Sequence, residues 1–359
     1  MIRRSVDNAN IEQKWCMPAE WAPHEATWLS WPHNPADWPA KMGVIPWVFG
    51  EMVRKLAPGE VVRILVNNQA HENKARSILQ SSGVELHRVE FFRFKTDRSW
   101  VRDYGPIFIR RRGPGAGLVM AHFHFNGWAK FVDWTRDNAV PEKISRKLEI
   151  EKIEVLHGDR PFVLEGGAID VNGMGSLLTT EECLLDQKRQ VRNPGLSRKD
   201  IEGVLSEALG LSNIIWLGKG IVGDEDTHGH VDDLCRFVGP RTVVLCHEKN
   251  VRDANYRLLE ENRERLEQAR LEDGSRMEIV RLPMPAPLYF DGRRLPASYA
   301  NFYIANSVVL APTFNDPADR MALGMIGDLF PDRQVCGIHA VDLVLGLGAI
   351  HCLTQQQPA

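Results

Sequence analysis

Apolar positions along this chain recur at two spacings, one helical and one strand-like, and the two interleave throughout its length. Short runs rich in valine, isoleucine and leucine predict strands at 61–66, 84–90, 118–125, 152–156, 168–171, 176–179, 214–217, 234–238, 242–246, 277–282, 307–310 and 334–338. Stretches with apolar residues three and four apart predict helices at 46–56, 70–80, 136–148, 198–209, 250–272, 317–329 and 340–345. Strands outnumber helices, and helices fall at intervals among them. The chain is therefore mixed α/β, without the one-to-one alternation of a doubly wound sheet. Groups of ββαβ type recur, which points to an internal structural repeat that no sequence period accompanies. No low-complexity linker divides the chain, and 112–117 suffices only for a hairpin turn. Residues 1–359 read as one domain.

Two stretches escape this pattern. Residues 17–32 hold three tryptophans and three prolines, which predicts an extended, rigid, aromatic surface. Trp28 reads as core; Trp31 reads either as core or as the wall of a small-molecule pocket. Further on, the apolar run 341–350 is broken by glycines and leads, strand-like, into Cys352 and a glutamine-rich segment. Cys352 follows a glycine that permits close backbone approach. It reads either as a small buried hydrophobe or as a nucleophile held by a firm lead.

Composition narrows the class. With 43% hydrophobic and 25% charged residues the chain is an ordinary globular protein, and a net charge of -3 argues against a nucleic-acid partner. No apolar run is long enough to span a bilayer, and the basic start at 1–7 has no apolar core behind it. The six cysteines, at 16, 183, 235, 246, 336 and 352, form no CxxC pair. That usage implies a reducing, cytoplasmic compartment in which a thiol stays free to react. No glycine-rich nucleotide loop is present.

Four segments carry reactive side chains where strand and helix patterns do not demand them. Asp103 stands in the polar turn 96–106, where an ion pair with Arg102 is the bland alternative. Glu165 follows an apolar run and precedes two glycines, so its carboxylate would point from a strand end into open space. Residues 223–233 hold five acids and two histidines. If extended, that segment would turn His228, His230 and Asp232 to one side, a patch suited to a metal or to a cationic substrate. The segment 295–306 reads mostly as core-packing wall.

Taken together, Cys352, His230 and the carboxylates Asp103, Glu165 and Asp232 suit one chemistry. Two carboxylates each accept a fork of hydrogen bonds from a planar guanidinium and would fix its carbon over a thiolate. A histidine then serves as acid and base in turn. So acidic a pocket raises the thiol's pKa, and Cys352 is expected to stay largely neutral until a cation arrives or His230 pairs with it. Trp100 and Trp128 read either as packing or as faces that stack on the substrate. Asp226 and Glu225 read either as turn caps or as partners for a second cationic end of the substrate. His351 would face away from its neighbour Cys352 in an extended segment and is left out of the site.

Eight segments, running in order over nearly the whole chain, resemble the agmatine deiminases of the Porphyromonas-type peptidylarginine deiminase group, within the guanidine-modifying or pentein superfamily. The most specific are Trp-x-Arg-Asp-x-Gly-Pro at 100–106, Gly-Asp-Glu-Asp-Thr-x-Gly-His-x-Asp at 223–232 and Ile-His-Cys-x-Thr-Gln-Gln-Gln-Pro at 350–358. The resemblance implies an α/β-propeller of five ββαβ-like units around a central site, with no metal or cofactor. It implies Cys352 as nucleophile, His230 as acid and base, Asp103 and Asp232 as the guanidinium grip, and Glu165 as the group that orients His230. The implied substrate is agmatine, with peptidyl-arginine and a metal-dependent hydrolase using His228, His230 and Asp232 as alternatives. Homo-oligomerisation stays open. The chain departs from the family pattern at Tyr104 and His228, where agmatine deiminases carry threonine and asparagine.

Overall fold

Five units of one design account for most of the regular structure in the computed structural model, which describes residues 14–113 and 116–359. In each unit a first strand runs antiparallel to a second, and the second pairs in parallel with a third. Ile107–Arg111, Leu118–His122 and Glu151–Glu154 make one unit. Asp170–Val171, Ser176–Thr180 and Asn213–Leu217 make the next. Cys235–Gly239, Thr242–His247 and Glu278–Pro283 follow, then Tyr303–Ile304, Val308–Thr313 and Gln334–His339. A parallel partner demands a crossover. A helix supplies it each time: Val140–Leu148, Arg198–Leu209, Ala254–Gln268 and Ala318–Leu329.

The fifth unit draws its strands from far-separated parts of the sequence. Its first strand is Gln355–Pro358, antiparallel to His24–Ser30, which pairs in parallel with Val61–Leu65 across the helix Ile45–Leu56. Val89–Phe92 adds a fourth strand after the helix Gln69–Ser81. Three buried glutamines fasten this closure through their side chains. Gln355 Nε2 donates to the Pro106 carbonyl at 2.9 Å, and Gln356 Oε1 accepts from Arg102 Nη1 at 2.7 Å. Gln357 Oε1 accepts from Trp28 Nε1 at 3.0 Å and from Arg63 Nη1 at 2.6 Å.

Local chemistry sets the element ends. Ser197 and Asp200 form a reciprocal capping box at the start of Arg198–Leu209, and Gly210 ends that helix at φ 68°. A side chain at Gly210 would collide with the Trp15 backbone, so glycine is required there twice over. Ile45, Phe49, Met52, Val53 and Leu56 face the core from one helix, while the second strands are buried on both faces. Among the described residues no helix is long and apolar enough to cross a membrane.

One feature of the repeat positions the reactive side chains. A short turn precedes each first strand: Val101–Tyr104, Gly166–Ala168, Val231–Asp233, the turn at 298–301, and His351–Leu353. Asp103, Glu165, His230 with Asp232, Asn301 and Cys352 lie in or beside these five turns. The repeat is thus one of backbone, with a different side chain at each equivalent place.

The pattern-based elements are mostly recovered, with informative exceptions. The strand expected at 84–90 begins only at Val89, because Leu86–Arg88 winds into a 3-10 turn. The helix expected at 136–148 is two, Thr135–Asn138 and Val140–Leu148, since Pro141 cannot donate back into the preceding turn. The helix expected at 250–272 starts at Ala254, where Asp253 caps the Asn255 amide, and ends at Gln268. The run 341–350 is no strand: it holds a 3-10 turn, Leu343–Gly346, and a left-handed Leu347 at φ 68°. Gln355–Pro358, with no apolar side chain before the proline, is a strand that apolar patterning misses. The basic start at 1–7 lies outside the described residues, as does the centre of the 112–117 turn, whose flanking strands do pair as a hairpin.

Gln357→Leu removes the acceptor shared by Trp28 and Arg63 without opening a cavity. Leaving those buried donors unmatched should cost about 1–3 kcal/mol in urea unfolding. A loss under about 0.5 kcal/mol, the size of an ordinary surface substitution, would mean that backbone pairing alone closes the fold.

Candidate active site

The turn His351–Leu353 holds Cys352 on the floor of a cavity of about 520 Å³. Its walls include Trp100, Asp103, Trp128, Asp226 and Gly348. Gly348 makes room for the thiol: a side-chain carbon there would lie 2.8 Å from the Trp100 ring and 3.2 Å from Cys352 Sγ. The close approach expected of this glycine is therefore real. Trp100 is set by stacking on Trp38, with centroids 5.0 Å apart. Trp31 is not a wall; it packs against Phe49 in the core, 5.8 Å between centroids.

Asp103 lines the cavity with the thiol, and Asp232 lies against it. Asp103 Oδ2 accepts from Trp128 Nε1 at 2.9 Å, and its Oδ1 accepts from the Gly167 amide at 3.1 Å. The bland alternative fails, since Arg102 turns instead to Gln356, Glu20 and the His351 carbonyl. Asp232 Oδ2 accepts from His351 Nδ1 at 2.7 Å and lies 3.7 Å from Cys352 Sγ, while its Oδ1 is buried with no partner among the described residues.

His230 sits between Asp103 and Glu165. Its Nδ1 is 3.7 Å from Asp103 Oδ1, and its Nε2 is 3.6 Å from Glu165 Oε2. Glu165 is held from the other side by Arg192 Nε at 3.1 Å, with both side chains fully buried. The two glycines after Glu165 make this packing possible. A side-chain carbon on Gly167 would come within 2.6 Å of His230 Nδ1, 2.8 Å of Asp103 Oδ1 and 3.2 Å of Asp232 Oδ2.

Sequence reasoning misses three residues of this site. Asn301 Nδ2 donates to Asp233 Oδ1 at 2.9 Å and to Cys352 Sγ at 3.1 Å, so it is more than wall. Asp224 takes the Gly229 and His230 amides on one oxygen, at 3.0 and 2.9 Å, and so fixes the loop that carries His230. His351 does not face away, because the segment is a 3-10 turn; its ring lies between Asp232 and Glu20 at 2.7 Å from each. Only Asp224 left a sequence signal, as part of the acidic run. His228 goes the other way. At φ 62° the backbone turns its ring out to Asp186, 2.9 Å away, so His228, His230 and Asp232 never share a face.

Burial and charge set the protonation of the site. Burial lifts the Asp103 carboxyl to about 6, aided by Asp232 and Glu165 and opposed by His230. Burial likewise lifts Asp224 to about 6 against the pull of His230. On Glu165 burial is outweighed by Arg192 and His230, which hold its carboxyl at about 2. Burial would lower His230, yet Asp103, Cys183 and Glu165 hold it well above the ordinary imidazole value. Burial, then Asp232, Asp233 and Asp103, push the Cys352 thiol well above its usual range, as so acidic a pocket requires.

Two groups bring three metal-ligating side chains together, with donor atoms within 4.8 Å: Glu165 with Cys183 and His230, and Asp232 with Asp233 and Cys352. Neither is well suited to a metal. The Arg192 guanidinium already sits on Glu165, and N–H groups of His351 and Asn301 occupy the second group. What the arrangement does offer is a buried pair of carboxylates with a free oxygen, beside a thiol and an imidazole. Such a pocket favours a flat, delocalised cation. Farther out, Asp226 Oδ1 pairs with Lys130 Nζ at 2.5 Å and Arg293 Nη2 at 3.1 Å, so it is no turn cap. Glu225 is exposed and stands 3.8 Å from Arg293.

Known proteins share this architecture. The family model described as Porphyromonas-type peptidyl-arginine deiminase matches residues 16–358. The agmatine deiminase of Stutzerimonas stutzeri is 37% identical over 96% of this chain and 95% of its own length. That of Pseudomonas fluorescens is 38% identical with the same coverage. Among solved structures, a substrate-bound agmatine deiminase from C. jejuni superposes with a TM-score of 0.85 at 30% identity, covering 98% of this chain and 99% of that one. The agmatine deiminase of Enterococcus faecalis gives 0.85 at 29% identity over 99% of each chain. These likenesses make the five-unit arrangement the α/β fold of the pentein family. From the fold to the strings around Asp103, His230 and Cys352, the chain belongs to the Porphyromonas-type peptidyl-arginine deiminase family.

Proposed function

We propose that this chain hydrolyses agmatine to N-carbamoylputrescine and ammonia through a covalent intermediate on Cys352. The observation that carries the mechanism is a pair of buried carboxylates at the thiol's cavity: Asp103 lines it together with Cys352, and Asp232 holds Oδ2 3.7 Å from Sγ with Oδ1 unpartnered among the described residues. The choice of agmatine rests on the named relatives, which cover the chain from end to end.

The guanidinium enters between the two carboxylates and brings its central carbon over Sγ. Its positive charge offsets the acids that hold the thiol neutral, so the thiol releases its proton to solvent and the thiolate forms as the substrate enters. Asn301 Nδ2, 3.1 Å from Sγ, donates to that thiolate. Sulfur attacks the carbon and a tetrahedral adduct forms. His230, charged in the resting site, gives its proton to the departing nitrogen, and ammonia leaves. The C–S bond of the amidino-thioether remains. His230, now neutral, takes a proton from water as that water attacks the same carbon. Collapse of the second adduct breaks the C–S bond, forms the ureido carbonyl as the hydroxyl proton passes to solvent, and returns the thiolate. Glu165, anchored by Arg192, keeps the imidazole in line for both transfers. Trp100 and Trp128 flank the methylene chain, and the far ammonium of agmatine reaches Asp226 by displacing Lys130 or Arg293.

Release of ammonia and ureido product from agmatine, arginine and a peptide with internal arginine tests this directly. Agmatine alone should turn over, Cys352→Ala should lower the rate roughly a thousandfold or more, and a chelator should change nothing. Turnover of the peptide would overturn the substrate. Chelator-sensitive activity surviving Cys352→Ala would overturn the mechanism.

The pH dependence follows from Asp103. Its carboxyl titrates at about 6 and must be ionised to hold a cation, so the KM for agmatine should rise as pH falls through that value. Asp103→Asn should abolish this dependence along with most of the affinity. The same KM at pH 5 and pH 8 would show that Asp103 does not grip the guanidinium.

A further inference from the structure

Beneath the nucleophile three buried side chains stand in line: Glu20, His351 and Asp232. Both ring nitrogens of His351 meet carboxylate oxygens at 2.7 Å, Nε2 on Glu20 Oε2 and Nδ1 on Asp232 Oδ2. An ionised carboxylate only accepts hydrogen bonds, so both nitrogens must donate, and the ring between them is an imidazolium. The outer carboxylate is fixed in its turn. Glu20 Oε2 also accepts from Arg102 Nη2 at 3.3 Å, and Oε1 accepts from the Ile304 amide at 2.9 Å with Arg236 Nη2 equally near. Arg236 is shared with Asp170. Burial opposes ionisation of both acids, but Arg236 and His351 hold Glu20 well below the usual carboxylate range, and chiefly His351 holds Asp232 down. The backbone is locked too: the His351 amide donates to Asn301 Oδ1 at 2.9 Å.

We infer that His351 is a positioning residue for the reaction: clamped as a cation between Glu20 and Asp232, it aims Asp232 at the substrate and screens Cys352 from that carboxylate's charge. This rests on Cys352 being the nucleophile. The geometry divides the two oxygens of Asp232. Oδ2 faces His351 and the thiol, 3.7 Å from Sγ, while Oδ1 is left for the guanidinium. Without the imidazolium, Asp232 would turn freely, and its full charge would join that of Asp103 against thiolate formation. Glu20 takes the second ring nitrogen and is itself held by two arginines, so the row extends from the thiol to the strand Cys235–Gly239 through Arg236.

The full-length His351→Gln protein tests this, because glutamine can donate toward only one of the two carboxylates. Two readings are taken: the KM and kcat for agmatine, and the pH midpoint of Cys352 alkylation by iodoacetamide without substrate. KM should rise about tenfold. The alkylation midpoint should move up by about one pH unit, a tenfold loss of thiolate at fixed pH. Glu20→Gln keeps the hydrogen-bonding shape and removes the outer charge, and should move the midpoint the same way by less. If His351→Gln does not fold, the Glu20→Gln midpoint decides alone, upward in support and unmoved against. An unmoved midpoint with a KM within twofold of the parent overturns the proposal. Lost activity with an unmoved midpoint also overturns it, since that is what a merely structural role would give. Cys352→Ala run alongside keeps the two questions apart: deiminase activity in that variant removes the nucleophile on which the inference rests.

Discussion

The structure depends on the pairing of Gln355–Pro358 with His24–Ser30. Everything chemical hangs from first strands, and this one is the first strand of the unit that carries the thiol. The turn that holds Cys352 is only as fixed as the strand that follows it, and that strand is held by side chains as much as by backbone. Gln356 on Arg102 ties the closure to the turn of Asp103, and Gln355 reaches the residue just ahead of the next unit's first strand. Buried glutamines are costly unless matched. Here their hydrogen bonds serve as register marks, since a slip by one residue would turn each amide away from its partner.

A second constraint is charge. Asp103, Glu165, Asp224, Asp232 and Asp233 are all buried within one small region. Such a cluster is tolerable only because each acid has an assigned counterpart or stays protonated. Glu165 has Arg192, Asp232 has His351, and Asp224 accepts backbone amides. Asp233, pushed well above the usual range by burial, then Asp232 and Asp224, is the one best able to stay neutral. What remains unbalanced points into the cavity, and a cationic guest completes the count. Recognition and stability are the same electrostatic problem solved with one site left for the substrate.

Much of this was legible in the residues. Asp103, Glu165, His230, Asp232 and Cys352 stand out because neither strand nor helix patterning asks for them, though the two glycines beside Glu165, read as opening space for its carboxylate, instead make way for close-packed side chains. The ββαβ grouping is also visible, since helical and strand periods are set by backbone geometry. The repeat leaves no sequence period because the five equivalent turns need five different side chains. The failures share a cause. Alternation assumes an extended chain, and the segments around His228 and His351 are turns. A left-handed residue at 228 and a 3-10 turn at 351 reverse both expectations. Asn301 is invisible for another reason: its role lies in reaching two partners, Asp233 and Cys352, that are distant in sequence.

The closure has a consequence for how the molecule comes to be. Trp28 and Gln357, which meet in it, are 329 residues apart. Loop-closure entropy delays such a contact until the intervening chain has collapsed. Until then His24–Ser30 is an edge strand with its hydrogen-bonding groups bare on one side. An unpaired edge accepts any strand that fits, including Gln355–Pro358 of another copy. The element that completes the site is thus also the one through which two chains would most readily exchange segments. Its polar side chains, each answered only by particular neighbours, are a safeguard against settling on the wrong strand.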